Sequence, residues 1–516
     1  MSAFAPSPTS FAAWPPAVEE THISVVVLIG DRVFKLKKPI ELPFLDWRAR
    51  EARLDMCHRE VDLNRRICPD VYLGVADVLD QTGQPCDHLV VMRRMPDERR
   101  LSRLVREGAE LHAPLDDLAH LVASFHAKAE RSAATIDAAS RDAVARNWDD
   151  NLNTLHAFEG RVVDGAAVAR IDELAHRYLA GRGVLFEERG QGGHAIDGHG
   201  DLLADDIYLL DDGPRVLDCL EFSDRLRAVD MLDDVAFLAM DLERLGAPEL
   251  GAHFLASYAR HSGEEHPVSL AHHYIAYRAG VRSMVACLRA DRGVTAAMEQ
   301  ARQLLDLTRS HLESGSVRLV LVGGLPGTGK TTLALALGER TGWPVLRSDV
   351  VRKELLGFKP STRLAAPYAE GIYRPEHTDA TYRELLTRAR HRLERGQAVI
   401  VDASWTDPAR REQAADVAHA TVSELIGLRC DAPAAAAAQR LRNRAADEAS
   451  DATPAIAEAM AGAARPWDDA VIVDTTTTIE ASVRAAAEAI GPIGQIVGIR
   501  GPWRRRPSLR WERRHR

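Results

Sequence analysis

Hydrophobic positions change their spacing several times along the chain, and each change marks a different kind of element. Between Thr21 and about Val91 they fall into short apolar blocks: HISVVVLI, RVFKL after the turn-like Gly30-Asp31, VYLGVADVL and HLVVMRRM. Such blocks, rich in β-branched residues and bounded by turn residues, predict strands. A stretch from about Trp47 to Arg66 has helical spacing instead, so the region predicts a small mixed sheet carrying one helix. From about Leu101 to Arg182 the spacing is helical, as in LDDLAHLVASFHAKA and AAVARIDELAHRYLA. A glycine-rich passage, GQGGHAIDGHGDLLADD, and two short strands, IYLL and RVLDCL, follow before helical spacing returns from Ala228 to about Leu312.

The character changes at Val317. RLVLVGG reads as a buried strand running straight into a glycine-rich loop and the helix TTLALALGERTG. Strand and helix then alternate: PVLRS, VVRKELL, a long helix around Thr378 to Arg395, QAVIVDA, ATVSELIGLRC, an alanine-rich helix and AVIVDTT. Alternation of this kind predicts an α/β unit with a parallel sheet, whereas the first half reads as α+β. The boundary is expected at 313–316, in the ESGS turn, with the second unit spanning 317–490.

Length agrees with two enzyme-sized units, since 516 residues at about 150 per domain give two or three. With 46% hydrophobic and 27% charged residues, the chain can bury a large core. The net charge of −9 is uneven: residues 500–516 hold eight arginines and one glutamate, leaving an acidic body. An acidic body argues against a general nucleic-acid binder. The segment 491–516 is expected to be a basic tail that solvates freely or touches an acidic surface, and 1–20 a flexible leader. Six scattered cysteines without a CxxC pair suggest neither a zinc site nor a disulfide framework and fit a cytoplasmic protein, and no apolar run approaches membrane-helix length. Only seven of the 66 basic residues are lysine, so a position that keeps lysine is a candidate for a compact ammonium.

Two of those lysines frame the candidate chemistry. Gly324 to Thr331, GLPGTGKT, satisfies GxxxxGK[ST] between a strand and a helix. Gly324, Gly327, Thr328 and Gly329 let backbone N–H groups curl around phosphate, Lys330 reaches its outer oxygens, the Thr331 hydroxyl can hold Mg²⁺, and Thr332 continues the helix N-terminus. Asp349, in RSDVVRKEL with Ser348 and Arg352, sits where a carboxylate can orient or deprotonate an acceptor hydroxyl, or simply cap a helix. Asp402, ending VIVD, stands where a second carboxylate would hold the metal. Arg440, Arg442 and Arg444 are candidates for a charge-neutralising lid. On GLPGTGKTT, SDVVRKE, VIVDASW and this arginine segment, the second half resembles the small P-loop kinases, a group that includes gluconate and shikimate kinases. The resemblance implies nucleotide contacts from Lys330 and Thr331 and acceptor-side roles for Asp349 and Arg352.

In the first half, His199-Gly200-Asp201 is followed by Asp206 and, after a hairpin, by Asp218: a constellation of one base and two metal ligands. It looks like the HGDxxxxN loop and metal-binding aspartate of the aminoglycoside phosphotransferase family, whose two-lobed fold is similar to that of protein kinases. The resemblance implies a small lobe at about 21–95 and a large lobe at about 96–313. Asp201 would be the catalytic base, Asp206 a metal ligand where the family has asparagine, and Asp218 the second ligand. It implies further that Lys35 contacts phosphate, with Lys37 as the reserve, that Glu60 is the helix partner, and that Asp230 and Asp234 brace the loops. His126 matches a family helix histidine or packs in the core.

The order of the two halves is similar to a bacterial fusion of an aminoglycoside phosphotransferase-like domain with an AAA-type or gluconate-kinase-like domain. The expected protein is an ATP- and Mg²⁺-dependent bifunctional phosphotransferase acting on hydroxyls of small polar molecules, with a sugar, aminosugar or aminoglycoside-like acceptor at the first site. Two alternatives stand beside it: an ATP-driven switch or stress-response module whose kinase-like half is a sensor, and a nucleic-acid 5′-end kinase using the basic tail.

Overall fold

The apolar, β-branched blocks SVVVLI and RVFKLK build two strands joined by a tight turn at Gly30, whose φ of 55° suits glycine. The computed structural model describes residues 15–21, 23–42, 45–362, 364, 369–443 and 450–494; residues 1–14, Arg444 and 495–516 lie outside them. Strands β1 (Ala17–Glu20), β2 (Ser24–Ile29) and β3 (Arg32–Lys37), helix α1 (Arg50–Arg65), and strands β4 (Tyr72–Leu79) and β5 (Pro85–Arg93) form an antiparallel sheet of order β1-β2-β3-β5-β4 carrying one helix. Strand β1 corrects one expectation. Its residues, placed by sequence in the flexible leader, pair with the outer edge of β2 in the register Ala17↔Leu28, because an open strand edge offers backbone groups that a neighbouring extended segment satisfies.

The chain divides into two compact units, one of residues 1–140 with 189–264 and the other of 141–188 with 265–516. The first is an α+β unit. To the sheet and α1 it adds the hairpin of Ile207–Leu210 with Gly213–Val216 and the long helices His112–Lys128, Met231–Arg244 and Pro248–Ser262.

The second unit is built on strands β6 (Arg318–Gly323), β7 (Val345–Arg347), β8 (Val399–Asp402), β9 (Glu424–Asp431) and β10 (Val471–Asp474), all parallel, in the order β7-β8-β6-β9-β10. Central β6 is buried at every position, as a strand covered on both faces must be. Helix α2 (Lys330–Thr341) buries Leu333, Ala334 and Leu337 with Val320, Val322 and Ile400 in one apolar cluster.

The division does not fall at the 313–316 turn. Helices Arg141–His156, Gly165–Ala180, Val268–Asp291 and Ala296–Ser314 group with the parallel sheet. Polar anchors explain why: the buried Arg182 guanidinium donates to the Thr421 carbonyl at 2.9 Å, Arg177 pairs with Glu424 at 2.8 Å, and the Ser269 hydroxyl donates to the Gly396 carbonyl at 2.6 Å. At Gly181 the backbones come so close that a Cβ would lie 2.2 Å from the Thr421 oxygen. None of these contacts leaves a hydrophobic periodicity in the sequence.

This helical layer carries a pH signature. His272 and His311 face each other with their Nδ1 atoms 2.8 Å apart, and His273 is buried against Trp148 and Tyr178. Burial pushes His272 and His273 each down to about 3 from 6.5. The unfolded chain therefore binds more protons between about pH 6.5 and 3, and stability falls as pH drops through that window. Each histidine is expected to cost about 2 kcal/mol between pH 7 and 5. Urea unfolding at the two pH values, followed at Trp148, should show the loss and should show less of it in His273→Gln; equal midpoints at both pH values would refute the assignment.

Candidate active sites

In the first unit, Lys35 and Lys37 stand two residues apart on β3 and point to the same side. Helix α1 aims Glu60 between them. The Lys35 ammonium lies 2.9 Å from Glu60 Oε1 and 2.6 Å from Asp218 Oδ1. Lys37 is displaced from the role of reserve phosphate ligand: its ammonium is fully buried, 2.6 Å from Glu60 Oε2 and 2.5 Å from Glu221 Oε1. Burial works against a charged Lys35, but the Asp218 and Glu60 carboxylates outweigh it and hold its pKa well above the ordinary value.

Asp218 sits at φ 65°, a left-handed conformation costly for a residue with a Cβ. Two side chains hold this turn: its own N–H donates to Tyr72 Oη at 3.0 Å, and the next N–H, of Cys219, donates to Asn64 Oδ1 at 2.9 Å. Desolvation in the cleft would raise the Asp218 carboxyl; the Lys35 ammonium more than offsets it and keeps it below its usual value. Asp206 shows the opposite. Burial, then the Asp218 and Asp201 carboxylates, push it well above the carboxylate range. The three aspartates singled out in the sequence are thus near neighbours.

The loop carrying Asp201 is braced from behind. Asp234 accepts from the His199 N–H at 2.7 Å and the Gly200 N–H at 2.8 Å, and His126 Nε2 lies 3.0 Å from the same carboxylate. His126 is therefore a packed core histidine with a polar task, its Nδ1 2.7 Å from Tyr258 Oη. Gly198 has no room for a side chain, since a Cβ there would meet Asp234 Oδ2 at 2.5 Å. Asp230 clamps Arg189 through both carboxylate oxygens, at 2.5 and 2.7 Å. Asp234→Ala strands two backbone donors and an imidazole in the interior. It is expected to destabilise the unit by about 3 kcal/mol or more; a denaturant-derived loss below about 1 kcal/mol would contradict the bracing role.

In the second unit, Gly324, Gly327 and Gly329 have φ of 131°, 83° and 88°, and α2 begins at Lys330. A Cβ on Gly327 would meet the Ala437 carbonyl at 2.5 Å, so this loop tolerates nothing larger there. Thr328 closes the turn through the Leu325 carbonyl at 2.8 Å. The Lys330 ammonium donates to the same carbonyl at 3.1 Å, and the Thr331 hydroxyl donates to Asp402 Oδ2 at 2.7 Å. Burial raises the Asp402 carboxyl against the pull of Lys330 and Thr331. Asp349, at the start of helix α3 (Ser348–Leu355), accepts from Arg352 at 2.8 Å, and that guanidinium stacks 4.9 Å from the Tyr373 ring centre.

These groups surround one cavity of about 600 Å³, whose lining includes Lys330, Thr331, Thr332, Asp349, Asp402 and Arg440. Arg440 donates to the Thr475 carbonyl at 2.7 Å. Arg442 is exposed and does not line the cavity, and Arg444 lies outside the described residues.

Both sites have donor sets suited to magnesium, which takes one or two carboxylates and completes its shell with water and phosphate oxygens. Asp206 and Asp218 are such a pair, and Asp402 with Thr331 is another. Among the described residues, no group of three or more His, Cys, Asp or Glu side chains forms a closed cage for a metal.

Residues 319–467 match the family model described as an AAA domain. The Mycobacterium tuberculosis H37Rv protein Rv2004c is 43% identical over 469 residues, covering 91% of this chain and 94% of its own length, and the Mycobacterium bovis protein Mb2027c matches to the same extent. The chain belongs to the family of these mycobacterial proteins. Among solved structures, the GDP and kanamycin complex of APH(2")-IIia covers 59% of this chain and 96% of its own, with 16% identity and a TM-score of 0.36. A choline/ethanolamine kinase family protein from Mesorhizobium loti covers 60% and 95%, with 14% identity and a TM-score of 0.34. A sugar kinase from Janibacter covers 34% and 96%, with 18% identity and a TM-score of 0.27. In the family member described here the AAA-domain match falls within the second unit. Among the described residues, no helix is long and apolar enough to cross a membrane.

Sequence reasoning missed several members of these sites. Glu221 follows Asp218 by three residues in LDCLEF, and Asn64 follows Glu60 by one helical turn; both spacings are visible in the sequence once the partner is known. Tyr72, the cavity-lining pair Tyr382 with Arg410, and Tyr373 beside the expected Arg352 arise from tertiary contacts that no local spacing signals.

Proposed function

We propose that this chain is an ATP- and Mg²⁺-dependent phosphotransferase with two nucleotide sites, each passing a terminal phosphoryl group to a hydroxyl of a small polar molecule. The observation that carries the reading is the convergence of Lys35 on Glu60 and Asp218, with Asp201 and Asp206 alongside. An ammonium held between a helix carboxylate and a metal-binding carboxylate is the arrangement that steadies a triphosphate for in-line transfer. That pairing is intact, which favours a catalytic first unit over a sensor.

At the first site, Lys35 binds phosphate oxygens, Asp206 and Asp218 hold the metal, and Asp201 accepts the proton of the acceptor hydroxyl. At the second, the backbone N–H groups of the phosphate loop and Lys330 bind the triphosphate, Thr331 and Asp402 hold the metal, and Asp349, steered by Arg352, takes the acceptor proton. Bound magnesium supplies charge neutralisation along the phosphates at either site. A sugar or aminosugar is the acceptor we assign to the first site, because its catalytic residues and the body of the chain are acidic and suit a cationic or polyhydroxylated molecule.

The test is transfer of labelled γ-phosphate from ATP to a panel of sugars, sugar acids and aminoglycosides by the full chain, by Asp201→Asn and by Lys330→Ala. Each substitution should silence its own set of acceptors and spare the other. Undiminished labelling by both variants would sink the proposal.

A further inference from the structure

Lys37 and Glu221 have no task in the transfer just described, yet they are among the most deeply buried charges in the first unit. The Lys37 ammonium is fully enclosed, bridges Glu60 and Glu221, and lies 4.8 Å from the Trp47 ring centre. A buried charge set of this kind is costly unless completely paired. Counting the group, Lys35 and Lys37 face Glu60, Asp218 and Glu221, which leaves one negative charge in excess. Lys37 and Glu221 neutralise one another on the enclosed side, so the excess falls on Asp218, the half-exposed member.

Two residues of α1 bond the backbone of the Asp218–Glu221 segment directly, and a third reaches it through Lys37. Arg59 donates to the Glu221 carbonyl at 2.8 Å, Glu60 takes Lys37, and Asn64 takes the Cys219 N–H. Glu60 and Asn64, one turn apart, lie on one face of the helix, with Arg59 to the side of them. The segment from Asp218 to Glu221 is thus tied to α1 at both ends, with the left-handed Asp218 at its start.

We propose that Lys37 and Glu221 are a positioning pair for the metal-binding turn: their buried bridge fixes the Asp218–Glu221 segment against α1 and reserves Lys35 for Asp218 and the nucleotide. Without Lys37, Glu60 and Glu221 compete for Lys35 and draw it from Asp218. Without Glu221, the end of the turn is released. Removing both restores the original excess of one negative charge. The inference rests on the phosphotransferase reading of this site.

The experiment uses the full chain carrying Lys330→Ala, so that ATP binding reports on the first unit. Binding is measured by calorimetry with and without Mg²⁺, alongside the melting temperature of the metal-free protein. Lys37→Met should weaken Mg²⁺-dependent ATP binding at least tenfold while leaving the weaker Mg²⁺-free binding within twofold. Lys37→Met/Glu221→Gln should return to within threefold of the parent. A packing defect would give no such recovery. Parent-like binding by Lys37→Met overturns the inference, as does a double variant that melts like the parent and binds as weakly as the single. Where Lys37→Met does not fold, Glu221→Gln alone decides: weakened Mg²⁺-dependent binding at an unchanged melting temperature supports the pair, and parent-like binding refutes it. Asp218→Asn in the same background separates the two levels. If it binds like the parent, the reading of the site fails; if it is weakened and Lys37→Met is not, only the positioning role fails.

Discussion

Lys330→Ala is expected to remove nucleotide binding from the second unit, with turnover there falling by about 100-fold or more. The ammonium donates to the Leu325 carbonyl of its own loop, which holds it folded over the cradle where the outer phosphates belong. The guanidinium groups lining the cavity are engaged elsewhere: Arg440 with the Thr475 carbonyl, Arg352 with Asp349, Arg410 with Asp379, and Arg347 beside Asp402. The substitution leaves the apolar cluster beneath α2 untouched, since Leu333, Ala334 and Leu337 supply its packing. Fluorescent-nucleotide titration should therefore show the loss without a change in melting temperature, and retention of binding within threefold would refute the assignment.

Asp201→Asn is expected to lower the first unit's transfer rate by about 100- to 10,000-fold, the range for a missing general base, while ATP affinity changes little. The reason lies in the division of labour among three neighbouring carboxylates. Asp218 is bound to Lys35, and Asp206 is crowded by both other carboxylates and stands ready for a cation. Asp201 sits at the end of a loop whose two preceding N–H groups are pinned by Asp234, so amide replacement alters the proton acceptor and leaves the loop in place. Steady-state kinetics should show kcat falling at nearly constant KM for ATP. A large rise in that KM with kcat preserved would make Asp201 a metal ligand instead.

Much of this is legible in the sequence. Motifs compressed into one turn, such as GLPGTGKT and HGDLLADD, announce themselves because backbone geometry, phosphate and metal chemistry constrain adjacent residues. The strand leading into GLPGTGKT reads correctly because a buried parallel strand leaves an unbroken apolar run. What stayed hidden was set by distance along the chain. Lys35 and Lys37 were found as a pair, but which of them faces the nucleotide depends on Glu221, 184 residues away from Lys37. Strand β1 was unreadable because it has almost no buried face and is held by backbone pairing and one exposed ion pair, Glu20 with Lys38. The 313–316 turn marks a change in hydrophobic pattern, yet the cohesion of the helices before it comes from Arg182, Arg177 and Ser269 contacts that carry no periodic signature.

The interleaved order of the two units bears on how the chain is made. Residues 141–188 belong to the second unit yet are synthesised between the two pieces of the first. Lys35 leaves the ribosome 183 residues ahead of Asp218, so the small sheet must wait, with Glu60 and two lysines clustered, for the carboxylates that complete it. The early helices wait in turn for a sheet that begins only at Arg318. Long waits of this kind raise the loop-closure cost of folding and lengthen exposure of apolar surface. The first unit is complete once residue 264 has emerged, whereas the second waits for β10, and a fragment begun at 317 would emerge without the helices anchored at Gly396, Thr421 and Glu424.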